Sequence, residues 1–122
     1  MKVRITVGEK SFEADIDDSE TGRAVSAALP IVGSASVWGD EIYFEIPVSL
    51  SESPEAQAEV EVGTLAYWPP GNALCIFYGP TPVSVGNAPR AYSPVNKFGR
   101  ILGDAATLRG TRNGERVSVE AI

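Results

Sequence analysis

Residues 63–82 read Gly63-Thr64-Leu65-Ala66-Tyr67-Trp68-Pro69-Pro70-Gly71-Asn72-Ala73-Leu74-Cys75-Ile76-Phe77-Tyr78-Gly79-Pro80-Thr81-Pro82. Two apolar, aromatic-rich runs flank a Pro-Pro-Gly-Asn turn, and a Gly-Pro-Thr-Pro turn closes the unit. Runs of this length bounded by turn residues read as a β-hairpin, with strands over 64–68 and 73–78. Side chains alternate across a strand, so Tyr67 and Trp68 face opposite ways, as do Phe77 and Tyr78. Half of these rings then pack into a core. For the other half, core packing and cross-strand pairing are the first reading, and lining a small apolar pocket that carries a few polar tips is the second.

Outward from the hairpin, short alternating segments recur. Val3, Ile5 and Val7 share a face in a strand over 2–7, and Phe12, Ala14 and Ile16 share one in a return strand over 11–16. Asp17-Asp18-Ser19 followed by Glu20 is helix-start chemistry, and Val25, Ala28 and Leu29 keep helical spacing up to Pro30. A helix over 19–29 is expected. Strands near 34–38 and 41–47 flank Gly39-Asp40; in the second, Ile42, Phe44 and Ile46 share one face and Glu41, Tyr43 and Glu45 the other. Residues 49–58 are polar and carry Pro54, which predicts an exposed excursion. Residues 79–94 are rich in Pro, Gly, Ser and Asn and predict a long loop carrying Arg90 and Tyr92, with Asn96 after it; a plain solvated loop is the first reading and a lid the second. A strand at 97–102, a short helix at 104–109 capped by Asp104, and a last strand at 117–119 complete the chain. About eight short strands and two helices, evenly punctuated by turns, predict one mainly β domain over 1–122, a barrel or a sandwich.

Composition narrows the function. The chain has 122 residues, 43% hydrophobic and 21% charged, enough for a globular core without metal or disulfide. Cys75 is the one cysteine, so no intramolecular disulfide forms, and in an apolar strand it reads as a small hydrophobe. The N-terminus lacks the apolar run of a signal peptide, and no stretch reaches the ~18 apolar residues of a membrane span. A cytoplasmic chain with no membrane partner is the expectation. A net charge of −6 with scattered basic residues argues against nucleic acid. The chain contains no histidine. That removes Ser-His-Asp and Cys-His nucleophile pairs and imidazole-based zinc sites. There is no phosphate-binding loop and no dinucleotide fingerprint. The carboxylates at 52, 55, 59 and 61 are too dispersed to specify a metal. No cofactor and no metal are expected.

Several segments resemble the cyclophilins. Residues 63–71 are similar to their G-x-L-S-M-A-N-A-G segment, Cys75-Ile76-Phe77-Tyr78 to the strand carrying S-Q-F-F-I, and Lys97-Phe98-Gly99-Arg100-Ile101 with Gly103 to V-F-G-K-V-x-x-G. Over nearly its full length the chain is more similar still to short prokaryotic cyclophilin-like proteins of unknown function. These carry W-G-x-E-I-Y-F and then G-x-x-x-Y-W-P-P-G-x-A-L-C-x-F-x-G-x-T-P. Here those patterns are Trp38 to Phe44 and residues 63–82. The resemblance implies a closed cyclophilin-like β-barrel of about eight strands with two helices capping its ends.

The same resemblance argues against prolyl isomerase activity. The family's F-H-R arginine falls near Glu45, its S-Q-F-F glutamine near Cys75, and its asparagine before A-G at Pro69. Phe77 alone keeps a matching role, as an apolar wall. The expected site is therefore a pocket for a small molecule or peptide, with Tyr43, Trp68 and Phe77 as walls and Tyr67, Pro69 and Cys75 beside them. Glu45 is the polar anchor, and Glu41 on the same face is a second, weaker candidate. Two alternatives stay open: a degenerate isomerase or other small enzyme using Glu45 as base, and a structural or homo-oligomeric module. Catalytic residues and oligomeric state are not legible.

Overall fold

The computed structural model describes all 122 residues. It is mainly β, with ten strands and one α-helix. The N-terminal hairpin is β1 (Lys2–Val7) and β2 (Lys10–Ile16), followed by α1 (Glu20–Ala27). The Ser19 hydroxyl caps α1 by accepting from the Gly22 amide at 3.0 Å. Then come β3 (Ile31–Ser34), β4 (Ser36–Val37), β5 (Glu41–Glu45), β6 (Gln57–Glu59), β7 (Thr64–Trp68), β8 (Ala73–Phe77), β9 (Arg90–Ile101) and β10 (Arg116–Ala121). No helix is long and apolar enough to cross a membrane.

Nine strands follow one antiparallel path, β3-β10-β1-β2-β9-β7-β8-β5-β4, and β6 adds to the first half of β9. The two ends of this path, β3 and β4, are consecutive in sequence, so the sheet curls around a common interior. The expected closed barrel of about eight strands is corrected here: the ladder does not close. Ala35 separates the two edge strands, and its backbone pairs with the turn before β10 instead. Its amide donates to the Glu115 carbonyl and its carbonyl accepts from the Gly114 amide, both at 2.8 Å. The Val37 amide goes to Asn113 Oδ1 at 2.7 Å. Across this seam the strands meet through side chains. A Cβ on Gly33 of β3 would lie 2.5 Å from the Phe44 ring of β5, so only glycine permits the approach.

The second expected helix is also corrected. Asp104 does cap a turn, accepting from the Ala106 amide at 3.0 Å, but residues Ala105–Leu108 form a single 3-10 turn. The predicted loop over 79–94 is shorter, because β9 begins at Arg90. Pro94 masked this strand in the sequence. It is tolerated because the first half of β9 borders only the short, irregular β6 ladder.

The alternation in each strand sorts side chains into two cores. The interior holds Val3, Ile5, Ile42, Phe44, Leu65, Tyr67, Leu74, Ile76 and Phe98 in one contiguous cluster. On the outer face of β5, β7 and β8, a smaller cluster of Val60, Ala66, Cys75, Phe77, Ala91 and Val95 is roofed by β6 and the first half of β9. The 49–58 excursion is strapped down by two buried polar residues. Asn96 Oδ1 accepts from the Ser53 amide at 2.8 Å while its Nδ2 donates to the Ser51 carbonyl at 3.0 Å. The Tyr67 hydroxyl donates to the Val48 carbonyl at 2.7 Å and accepts from the Leu50 amide at 3.2 Å.

Candidate functional site

The outer face of β5 carries Glu41, Tyr43 and Glu45, and β8 sets Phe77, Cys75 and Ala73 directly opposite them. The β4–β5 turn is a two-residue hairpin at Gly39-Asp40, in which Trp38 and Glu41 exchange both backbone hydrogen bonds, at 2.9 and 3.2 Å. Directly paired residues project to the same side of a sheet, so this turn puts the Trp38 indole beside the Glu41 carboxyl. From β7 comes Trp68, whose Nε1 donates to Ser93 Oγ on β9 at 2.7 Å. That bond fixes the plane of the indole. From β9 come Ala91, Tyr92 and Val95.

Together these residues enclose an open-mouthed cavity of about 270 Å³. Its walls are aromatic. Tyr92 stands edge-on to both indoles, with ring centroids 6.2 Å from Trp38 and 6.3 Å from Trp68 and interplanar angles of 68° and 88°. Tyr43 completes the aromatic lining. Tyr92 is 75% exposed and forms the outer rim, while Glu41 is only 6% exposed and lies at the base.

Glu41 is the one ionisable carboxyl in the cavity, and no lysine or arginine pairs with it. Burial pushes its pKa up to about 7, and the neighbouring Cys75 thiol offsets only part of the rise by hydrogen bonding. Burial drives the Cys75 thiol the other way from reactivity. Its pKa lies well above the ordinary value, first through desolvation and then through the negative charge of Glu41. Tyr78, just past β8, is pushed up to about 12 by burial and by Asp40 and Glu41.

The residues expected from sequence separate into three groups. Tyr43 and Trp68 line the cavity. Cys75 and Phe77 lie buried in the outer cluster alongside it without reaching the cavity surface. Tyr67 points to the interior, Pro69 sits in the 3-10 turn between β7 and β8, and Glu45 is exposed at the end of β5, where nothing from β9 covers it. The structure adds Trp38, Tyr92, Ala91 and Val95 to the lining and moves the buried carboxyl from Glu45 to Glu41. The hairpin register of Gly39-Asp40 was the available signal for pairing Trp38 with Glu41. Of the β9 residues, Tyr92 was expected only as part of a loop, and Ala91 and Val95 had no signal, because Pro94 disguised their strand.

The fold has a counterpart. No curated protein matches the chain. The solution structure of a hypothetical protein from Archaeoglobus fulgidus superposes with a TM-score of 0.82 at 39% sequence identity, covering 100% of this chain and 95% of that one. The family model described as cyclophilin-like matches residues 1–120. The chain therefore belongs to the cyclophilin-like family.

Proposed function

We propose that this protein binds a small molecule in the aromatic cavity between β5, β7 and β9. The observation that carries this reading is the cavity itself: four aromatic side chains surround one buried, unpaired carboxyl at the base of an open-mouthed pocket. Small-ligand sites are concave and mostly apolar, with a few convergent polar groups and a perturbed pKa. A volume of about 270 Å³ suits a compact ligand or a single side chain better than an extended peptide. Prolyl isomerase chemistry has little support here. Glu45 stands exposed, Cys75 is buried and protonated, and Pro69 offers no side-chain donor.

The test is a fragment screen by NMR on isotope-labelled protein. Hits should shift the indole resonances of Trp38 and Trp68 and the backbone of Tyr92, and Trp68→Ala should abolish those shifts. Fragments that bind only elsewhere, or none at all, would overturn the proposal.

A second reading has one observation in its favour. A carboxyl with a pKa of about 7 is poised for general acid–base work at neutral pH, so Glu41 could move a proton on a bound substrate. Turnover of a hit compound with a rate that rises or falls through pH 7, and its loss in Glu41→Gln, would establish it.

A further inference from the structure

We propose that the ligand is a small alkylated ammonium ion, seated against the aromatic faces with Glu41 as its counter-charge. This rests on the cavity being a ligand site and names the chemistry it selects. Three features converge on it. First, Trp38, Tyr43, Trp68 and Tyr92 present electron-rich rings around one space, and the edge-on placement of Tyr92 makes two corners of a box with the indoles. Ring faces attract cations, and most strongly where water is excluded. Second, Glu41 is a nearly buried carboxyl with no cation within ion-pairing distance. A buried charge normally has a partner, and here the only space for one is the cavity. Third, the walls offer few hydrogen-bond acceptors. Among the lining side chains only the Glu41 carboxyl and the Tyr43 and Tyr92 hydroxyls can accept, since the Trp38 and Trp68 indoles carry donors alone. A primary ammonium brings three N–H donors that all need acceptors, whereas a fully alkylated one brings none. One carboxylate is also too few ligands for a metal ion, and no group of three His, Cys, Asp or Glu side chains surrounds the site.

The cavity of about 270 Å³ is sized for such a head group, and a free small molecule is the source proposed here. The charge state of Glu41 makes the binding depend on pH. The groups facing it are Tyr43 on its own strand, Cys75 and Tyr78 from β8 and its end, Tyr92 on β9, and Asp40 in the adjacent turn. Asp40 is paired with Arg109 at 3.7 Å. Cys75 and Tyr78 stay protonated through neutrality, because burial and the nearby carboxylates raise both. Glu41 must ionise to hold a cation, so cation binding releases its proton.

The experiment compares choline with its neutral carbon isostere, 3,3-dimethylbutan-1-ol, by calorimetry and NMR titration from pH 5.5 to 8.5. Choline should bind at least about tenfold tighter than the isostere at pH 8. Its affinity should fall ~tenfold per pH unit below about 7, while that of the isostere stays flat. Glu41→Gln should remove the preference. Tyr92→Leu, at an exposed position that leaves the fold intact, should weaken choline several-fold without affecting the isostere. Equal affinity for both probes, or choline binding that ignores pH, would overturn the inference and leave the small-molecule reading standing. Neither probe binding while neutral fragments still shift Trp38 and Trp68 would do the same. No fragment reaching those rings would remove both. A trimethyl-lysine tripeptide binding more tightly than choline would overturn the assignment to a free small molecule and place the cation on a protein partner.

Discussion

At the scale of single residues, a carboxyl that is 6% exposed and lacks a cation makes folding oppose ionisation. The pKa of Glu41 rises from 4.5 in a solvated chain to about 7 in the folded one, so the native state holds this proton more tightly than the unfolded state. Stability from this group is fully present below pH 4.5 and is lost as pH rises to about 7, by roughly 3 kcal/mol. Glu41→Gln should flatten that decline. The measurement is urea denaturation of both proteins at pH 5 and pH 8. The variant should lose less stability between the two, and parallel losses would remove Glu41 as the cause. Tyr67 acts by a different route. Its hydroxyl joins the Val48 carbonyl to the Leu50 amide inside the fold, so Tyr67→Phe should cost ~1–3 kcal/mol without enlarging the core. The sequence places Glu41, Tyr43 and Glu45 on one face by simple alternation. Which end of that face is covered depends on β9, a strand distant in the chain. Alternation alone therefore left Glu45 and Glu41 as rival candidates.

Among the elements, the turn between β7 and β8 does more than reverse the chain. Gly71 lies against the Trp68 indole, and a Cβ there would sit 2.7 Å from two ring carbons. Gly71→Ala should swing the indole away from Ser93 and out of the cavity wall. Loss of the slowed solvent exchange of the Trp68 indole proton would report it, with a stability loss of about 1–3 kcal/mol. An unchanged indole signal would mean that the turn, not the ring, gives way. This hairpin was the most legible element of the chain. Strands over 64–68 and 73–77 lie within one residue of expectation, because aromatic runs and turn residues coincide there. β9 was the least legible. Its first half is rich in the residues that mark loops, and its strand character comes from the contacts with β6 that only the folded chain supplies.

For the molecule as a whole, the seam between β3 and β4 is the place where no ladder of backbone hydrogen bonds joins the two ends of the sheet. Gly33→Ala would press a methyl group into the Phe44 ring and should destabilise the fold by ~1–3 kcal/mol. Amides of β3 that face away from β10 should exchange with solvent sooner than those of β1 and β2, which are paired on both sides. Mass-spectrometric hydrogen exchange on wild type and Gly33→Ala would test both statements, and equal protection across β1, β2 and β3 would count against the seam. A barrel was the natural expectation from evenly spaced strands. What defeats closure is a single residue, Ala35, whose backbone is claimed by the turn at 113–115, and no periodicity announces such a contact.

β7, β8 and β9 each serve both cores, β7 and β8 through their two faces and β9 through its two halves. β9 lends Ala91 and Val95 to the outer cluster and Phe98 and Ile101 to the interior. The cavity therefore has no hinge of its own: whatever grips Tyr92 tugs on a girder anchored in the main core. Occupancy should be felt as a stiffening of the entire molecule, so that a plain melting curve becomes a gauge of what the pocket holds.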